Sequence, residues 1–331
     1  MTDSTRAAAA ERAAYLRLAG VTLFWGGTYV VTRLAVHEVP PATVAALRLA
    51  ISSALFMAVA PIGRRTQTPA GERWERTKGL WRRHGWLLIL LGTFGMGYYM
   101  ALLNYGIREV GAAQAGLLAP SAFPVMIAVL ARLLMDERLS TGKVLGLLLA
   151  AAGMALVVTA GVRGGLPWRP LGYAALAVAA VGFSLYSVYG PRLLRELDPL
   201  TANTWIGLIG ALGLLPWVLA ERPLEALATA GPRFWLALAY LSVLGQAVSY
   251  AWWYHGIAVL GASRTGAFTY IVPVWAVTLA TLFLGEPITA GQVVGGALAL
   301  GGVALVNGWQ PGRSAGGRGP GAVSPSHHPH G

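Results

Sequence analysis

Long apolar stretches, separated by short segments that carry charges, proline and glycine, recur between residues 16 and 307. An α-helix needs about 20 mainly apolar residues to cross the hydrocarbon core of a membrane, which is about 30 Å thick. The pattern therefore predicts ten membrane-spanning helices. Their approximate cores are residues 16–32, 41–60, 86–106, 112–134, 143–160, 171–190, 201–220, 234–256, 263–284 and 290–307.

The composition agrees with a membrane protein. Hydrophobic residues make up 56% of the 331 residues and charged residues only 11%, whereas soluble domains carry about 25% charged residues. The sequence contains no cysteine, which excludes disulfide scaffolds, thiolate catalysis and Cys-ligated zinc or iron–sulfur centres. The fold class predicted is an all-α integral membrane protein.

The two halves of the sequence match each other in order. The matched residues are Trp25, Pro41, Gly111, Pro124 and Glu137 in the first half, and Phe183, Pro199, Gly261, Pro273 and Glu286 in the second. These matches predict two copies of a five-helix unit, at residues 15–162 and 163–309. A short cytoplasmic segment (1–14) precedes them, and a cytoplasmic tail rich in Gly, Pro, Ser and His (310–331) is expected to be disordered.

Lys and Arg are distributed unequally between alternate loops. With a cytoplasmic N-terminus, the cytoplasmic segments hold eighteen of the 25 Lys and Arg residues and the outer segments hold six. This asymmetry predicts that both termini are cytoplasmic, and it explains the net charge of +12 without a nucleic-acid partner. Because five is odd, the second copy must cross the membrane in the opposite direction. Inverted repeats are typical of secondary transporters, whose substrate site lies near the midplane.

Several motifs in these spans also resemble those of a known family. They are Trp25-Gly26, Pro41 with Arg48, Asn104-Tyr105-Gly106 before Gly111-Ala112, Tyr254-His255-Gly256 before Gly261-Ala262, and the spacing of Pro124 to Glu137 and of Pro273 to Glu286. Over residues 15–308 the chain resembles the ten-helix, EamA-type branch of the drug/metabolite transporter (DMT) superfamily. The resemblance implies a transporter that exports or exchanges amino acids, other metabolites or drugs, without identifying the cargo.

Arg48 is the one ionisable residue well inside a predicted span, about 10 Å along the helix from Pro41. Placing an arginine near the centre of a membrane helix costs about 2.5–3.5 kcal/mol, so Arg48 should face a polar cavity or partner. Its guanidinium either attracts a carboxylate or phosphate of the cargo, or it bonds to backbone carbonyls or reaches the outer headgroups. The sequence leaves both interpretations open.

Aromatic and polar residues recur at spacings of three and four in the middle of several spans, which places each set on one helix face. They lie too deep for an interfacial aromatic belt, so they form either the wall of a substrate cavity or part of the bundle packing. The candidate substrate-binding residues, besides Arg48, are Trp25, Thr28, Tyr29, Tyr186, Gln246, Tyr250 and Trp253, with Tyr98, Tyr99 and Asn104 as weaker candidates.

Pro120, Pro124 and Pro273 fall inside predicted spans. Each lacks a backbone donor and frees a carbonyl one turn earlier, which permits either gating or a static kink. Glu137 and Glu286 end their spans. We expect them to order the helix corners, with proton coupling or gating as the alternative.

Small residues recur at every fourth position in the predicted fifth helix (Gly142, Gly146, Ala150) and in the predicted tenth helix (Gly291, Gly295, Ala299). Such stripes let helices approach closely, either within the bundle or in a homodimer. Thr289 and Gln292 have the spacing of a capping box at the start of the tenth helix.

The sequence contains neither the motifs of common hydrolases and phosphate-binding loops nor a carboxylate pair inside a span. It therefore indicates a protein that is not an enzyme and needs no cofactor or metal, with the lipid bilayer and a small-molecule substrate as partners. We expect a secondary transporter, in the cell (plasma or inner) membrane, of an amino acid or organic anion. The alternatives are a lipophilic drug exporter, a nucleotide-sugar or lipid-linked carrier, and a membrane enzyme or assembly factor.

Overall fold

The computed structural model describes residues 3–63, 70–135, 140–194, 197 and 199–307. Within these ranges the chain is helical apart from short connections, and it contains no strand. Glu137 and the tail at 310–331 lie outside the described residues.

The first half of the chain forms two unbroken helices, then a broken one, then two more. The helices are α1 (Asp3–Glu38), α2 (Pro41–Gly63), α3 (Ala70–Leu90), α4 (Tyr99–Val110), α5 (Ala112–Met135) and α6 (Thr141–Arg163). A π-helical segment, Leu91–Tyr98, joins α3 and α4 into one rod.

The second half contains more interruptions. Its helices are α7 (Pro170–Leu194), α8 (Pro199–Gly213), α9 (Leu215–Glu221), α10 (Leu224–Thr229), α11 (Pro232–Ser242), α12 (Ser249–Leu260), α13 (Ala262–Ala267), α14 (Val272–Leu284) and α15 (Ala290–Val306). A second π-helical segment, Val243–Val248, joins α11 to α12, and a 3-10 turn, Phe268–Ile271, joins α13 to α14.

Seven helices in the described ranges are long and apolar enough to cross a membrane, and the pair α8 and α9, bent by 42°, makes an eighth if it is one span. The seven are Pro41–Ala58, Trp81–Val110, Ala112–Leu134, Thr141–Arg163, Pro170–Leu193, Pro232–Leu260 and Arg264–Leu284. The predicted first and tenth spans are also helical, as α1 and α15. However, α1 is not among the seven, and α15 is apolar but only 17 residues long.

The bundle has large apolar side chains outside and polar groups inside. Leu148, Leu236 and Phe283 are each more than 60% exposed, while Arg48 and Gln246 are buried. A soluble protein rarely exposes a continuous apolar surface, so this outer layer suits lipid contact.

The two small-residue stripes face each other within the chain, where α6 packs against α15, except for Gly142, which is exposed and lies outside this contact. The Gly302 carbonyl lies against Gly146, and the Gly295 carbonyl lies against Gly153, so the two helices run in opposite directions. There is no room for a side chain at Gly153, because a Cβ there would lie 2.3 Å from the Ala299 nitrogen.

Contacts between the two halves follow a crosswise pattern. Helix α1 packs against α12 and α14 of the second half, while α7 packs against α4 and α5 of the first. Helices α2 and α8 pack together, as do α5 and α14.

The helix breaks occupy related places in the two halves. The π-helical segments each precede the last 12 residues of their rod. Gly111 (φ 95°) and Gly261 (φ 83°) then begin the next turn with backbone angles that favour glycine. Pro120 and Pro124 lie inside α5, and Pro273 lies in the first turn of α14, directly after the 3-10 turn.

We predict that Gly302→Ala destabilises the protein by about 1–3 kcal/mol, because the new methyl group would overlap backbone atoms of α6. A Cβ at Gly302 would lie 2.4 Å from the Ala150 nitrogen, whereas the neighbouring Gly301 faces open space. Gly301→Ala is therefore the matched control, and we expect it to be neutral or to stabilise by up to about 1 kcal/mol. Thermal unfolding of the two variants in detergent measures the difference, and equal melting temperatures would contradict the close packing.

Candidate functional site

Arg48 bonds to the π-helical segment of the other half of the chain. Its Nε donates to the side-chain oxygen Oε1 of Gln246 at 3.1 Å, and a terminal nitrogen lies 3.5 Å from the Gly245 carbonyl. A π-helical turn changes the regular backbone register and is frequent at functional sites. Gln246 and Gly245 both lie in the segment Val243–Val248, so this helix irregularity supplies both acceptors.

The surroundings of Arg48 are polar but neutral. The Ser52 hydroxyl donates to the Arg48 carbonyl at 2.7 Å and also lies 3.3 Å from the Ser242 carbonyl. Arg48 is only 8% exposed. Among the residues that the structure describes, no carboxylate forms a salt bridge with it, so its charge is balanced only by dipoles.

Four tyrosines lie close enough to the Arg48 guanidinium to interact with it electrostatically: Tyr29, Tyr99, Tyr240 and Tyr250. Three of them were candidates from the sequence, and Tyr240 was not. Tyr240 precedes Gln246 by six residues, a spacing that a regular helix places on different faces. The π-helical segment between them changes the register, and the sequence pattern gave no sign of it.

Further aromatic rings extend from this cluster in two directions. The ring of Trp25 lies 5.0 Å from that of Trp253 and 6.2 Å from that of Tyr250. On the other side, the ring of Tyr99 lies 5.3 Å from Phe183 and 5.7 Å from Phe123. Aromatic pairs at such distances are favourable in tilted and edge-to-face arrangements.

Thr28 lies against Gly245. The Thr28 methyl group would be 2.8 Å from a Cβ at position 245, so glycine is needed there for α1 to approach the π-helical segment. The Thr28 hydroxyl donates to the Trp25 carbonyl at 2.6 Å.

A second polar cluster lies between α7, α8 and α12. The Tyr186 hydroxyl donates to Asn203 Oδ1 at 3.1 Å, and Asn203 Nδ2 donates to the Tyr254 hydroxyl at 3.1 Å and to the Pro199 carbonyl at 2.8 Å. Asn203 and Tyr254 were not predicted as site residues, although Tyr254 belongs to a motif that the two halves share.

A cavity of about 160 Å³ opens beside this cluster. It is lined by Tyr186, Ser187, Gly190, Pro191, Ala202, Ile206 and Tyr254. The cavity lies near Pro191, toward the end of α7. About 28 Å of helix separates Pro191 from Gly172, which lies near the start of α7.

Two of the weaker candidates lie apart from Arg48. The Tyr98 ring stacks on Phe94 at 5.4 Å and lies 5.8 Å from Trp217. Asn104 is buried, and its Nδ2 donates to the Pro41 carbonyl at 3.1 Å, which ties α4 to the start of α2.

Glu286 lies at the start of α5. Its two carboxylate oxygens accept from the backbone N–H groups of Ala112 (2.9 Å) and Ala113 (2.7 Å). The nearby capping box of α15 is present, since Thr289 and Gln292 bond to each other through both side chain and backbone. Within the described ranges, no cluster of three His, Asp or Glu side chains could hold a metal ion.

Comparisons with known proteins agree with this architecture. The sequence pattern of the EamA-like transporter family matches residues 12–159 and 170–308. The uncharacterized transporter YyaM of Bacillus subtilis (strain 168) is 28% identical over 297 residues, covering 89% of this chain and 93% of that protein. A probable terminal-alkyne amino-acid exporter of Streptantibioticus cattleyicolor is 29% identical over 286 residues, covering 86% and 89%.

A solved crystal structure is also similar in fold. Its chain is 25% identical in sequence and has a TM-score of 0.58, with 89% of this chain and 96% of that chain covered. The apolar helices and the named relatives define a multi-pass membrane transporter, which is not an enzyme. The chain belongs to the EamA-like transporter family, within the DMT superfamily.

The bond between Arg48 and Gln246 can be tested without knowledge of the cargo. We predict that Gln246→Leu lowers stability by about 1.5–3 kcal/mol, because it removes an acceptor from a buried charged group. In an Arg48→Met background the same substitution should cost much less, which gives a coupling energy of about 1–2 kcal/mol. Unfolding in mixed micelles provides the measurement. The exposed Arg169 provides the control, because the changes in stability caused by Gln246→Leu and Arg169→Met should be additive. If the changes caused by Gln246→Leu and Arg48→Met were also additive, the predicted energy of the bond would be contradicted.

Proposed function

We propose that this protein is a secondary transporter that exports or exchanges a small metabolite with a carboxylate, such as an amino acid or another organic anion. The observation that carries the proposal is the buried Arg48, whose partners in the described part of the chain are neutral oxygens. A buried charge without a counter-ion is unfavourable, so an anionic group that enters beside it gains a strong, directed interaction.

The aromatic rings around Arg48 support the same proposal. Tyr and Trp side chains provide apolar surface for the rest of a small cargo, together with hydroxyl groups that can orient it. The candidate binding residues are therefore Arg48, Gln246, Tyr29, Tyr99 and Tyr250. Trp25, Thr28, Tyr186 and Trp253 form the proposed wall further from the guanidinium.

We also propose that the transporter consists of two inverted five-helix repeats, residues 15–162 and 163–309, with ten spans and both termini in the cytoplasm. The crosswise packing supports this, because exchange of the repeats converts the contact of α1 with α12 into that of α7 with α4. The opposite directions of α6 and α15 and the matching π-helical segments support it as well. Alternating access would then come from movement of one repeat against the other.

Transport assays with purified protein in liposomes test the substrate class. We expect uptake of at least one amino acid or organic anion from a radiolabelled panel, and a 10- to 100-fold loss of apparent affinity in Arg48→Met, equivalent to about 1.4–2.8 kcal/mol. Arg169→Met makes the same chemical change at an exposed position and should transport normally. Transport of lipophilic cations, nucleotide sugars or lipid-linked sugars that is unaffected by Arg48→Met would contradict the proposal.

The proposed topology can be tested with single cysteines, because the chain has none of its own. Ser140 and Pro287 are exposed and follow α5 and α14, which are equivalent helices of the two repeats. We predict that a membrane-impermeant maleimide labels Pro287→Cys in intact cells and labels Ser140→Cys only in inside-out vesicles. Labelling of both cysteines from the same side would rule out the inverted arrangement.

A further inference from the structure

Three glutamates at one end of the bundle accept hydrogen bonds from backbone N–H groups at the start of a helix, or just before it, in the other half of the chain. We call this end the carboxylate end. Glu286 binds the start of α5, as described above. Glu221 accepts from the N–H groups of Ala42 (3.0 Å) and Thr43 (2.9 Å) at the start of α2, and Glu38 accepts from the Gly231 N–H (2.9 Å) before α11.

Ionised carboxylates suit these positions. A helix N-terminus carries unpaired N–H donors and a partial positive charge, and both favour a negative group. Because each glutamate and its helix belong to different halves, the three contacts hold the halves together at the carboxylate end.

Glu286 differs from the other two because it also has a basic partner. Its Oε1 lies 3.8 Å from the Nε of Arg33 on α1. Arg33 NH1 also donates to the carbonyls of Ile107 and Arg108, in the last turn of α4. In the part of the chain that the structure describes, neither Glu221 nor Glu38 pairs with a basic side chain.

Arg33 and Glu286 therefore hold the two sides of one turn. Arg33 binds the end of α4, Glu286 binds the start of α5, and Gly111 lies between them. A Cβ on Gly111 would make a tight contact of 3.1 Å with both carboxylate oxygens of Glu286, and the φ of 95° at this position also favours glycine.

Water can reach this contact. A cavity of about 140 Å³ lies beside it, and Arg33, Glu109, Gln114, Glu286 and Gln292 are among its lining residues. The Glu286 side chain is 20% exposed. A proton can therefore reach the carboxylate without a prior rearrangement of the bundle.

We propose that Glu286 is a proton-controlled latch that keeps the carboxylate end closed when ionised and releases it when protonated. Protonation removes the charge that attracts the Ala112 and Ala113 N–H groups and leaves Arg33 without its counter-ion. Opening should therefore increase as the pH falls. Under the topology proposed above, which gives the latch its role in transport, the pH of the external medium would control it.

The other charged and titratable groups around the latch do not replace this role. Glu109 on α4 already pairs with Arg108, at 3.6 Å. Tyr173 on α7 donates its hydroxyl to Gln114 on α5 at 3.1 Å, and Gln292 on α15 is neutral. Glu286 is thus the carboxylate that contacts both the helix and the arginine.

Distance measurements between spin labels test the latch directly. The labels are placed at Tyr105→Cys on α4 and Phe283→Cys on α14, which lie outside the buried core and leave the pair of Arg108 and Glu109 intact. We expect a longer distance to become populated in the wild type when the pH is lowered from about 7.5 to about 3, below the usual range of a glutamate carboxyl. In Glu286→Gln the longer distance should dominate at both pH values. A second pair, Leu148→Cys and Leu298→Cys on the closely packed α6 and α15, should remain unchanged.

Two further variants make the test specific. Glu221→Gln neutralises a glutamate that also binds a helix start, and it should keep the pH response. Arg33→Gln should shift the midpoint of the change to higher pH, because the ionised latch has lost its basic partner. The proposal is overturned if the wild-type distance does not respond to pH, if Glu286→Gln keeps the wild-type response or stays closed, or if Arg33→Gln leaves the midpoint unchanged. The readout needs no cargo, so it is independent of whether the proposed substrate class is correct.

Discussion

The burial of Arg48 is the constraint on which the centre of this bundle depends. A guanidinium inside an apolar bundle needs acceptors, and a regular helix offers few because its carbonyls are already bonded within the helix. The π-helical segment Val243–Val248 provides the Gly245 carbonyl and places Gln246 beside Arg48. The charge in one half and the backbone irregularity in the other thus support each other, and the result is a polar centre inside the bundle.

Helix breaks are concentrated around this centre and are absent from the part of the bundle that packs most closely. The rods that supply Tyr99, Gln246 and Tyr250 contain π-helical segments, and α13 and α14 are joined by a 3-10 turn. In contrast, α6 and α15 contain no proline and contact each other through glycine along their length. Close backbone packing leaves little freedom to slide, whereas a broken rod can bend at its break. The fold therefore combines a rigid pair of helices with adjustable ones.

The sequence predicted those features that depend on local residue types. The apolar spans, the buried Arg48, the capping box of Thr289 and the glycine stripes follow from length, charge and spacing alone. The residues that these features contact could not be predicted in this way. Tyr98 and Tyr99 are adjacent, and only the tertiary fold decides that Tyr99 lies near Arg48 while Tyr98 stacks on Phe94.

Residues far apart in the sequence account for the other differences. Glu286 was expected to order its own corner, but its carboxylate binds the start of α5, more than 170 residues earlier in the chain. Asn203 has no unusual spacing in the sequence, and its importance comes from three elements that meet around it. A single sequence contains no signal for such pairings, since they depend on how the two halves pack.

The two ends of the bundle contain different groups: the glutamates lie at one end, and the cavity beside Tyr254 lies toward the other. Gly172, at the start of α7, packs against Glu109 and Val110 and so lies at the carboxylate end. The cavity beside Tyr254 lies near Pro191, about 28 Å further along the same helix. Arg48 lies between them, about 10 Å along α2 from the helix start that Glu221 binds. The glutamates therefore close contacts between the halves at one end, beside the cavity of about 140 Å³, and the cavity of about 160 Å³ lies toward the other end, with the buried guanidinium in between. This arrangement suits a protein in which the closed end must open before a bound molecule can leave through it.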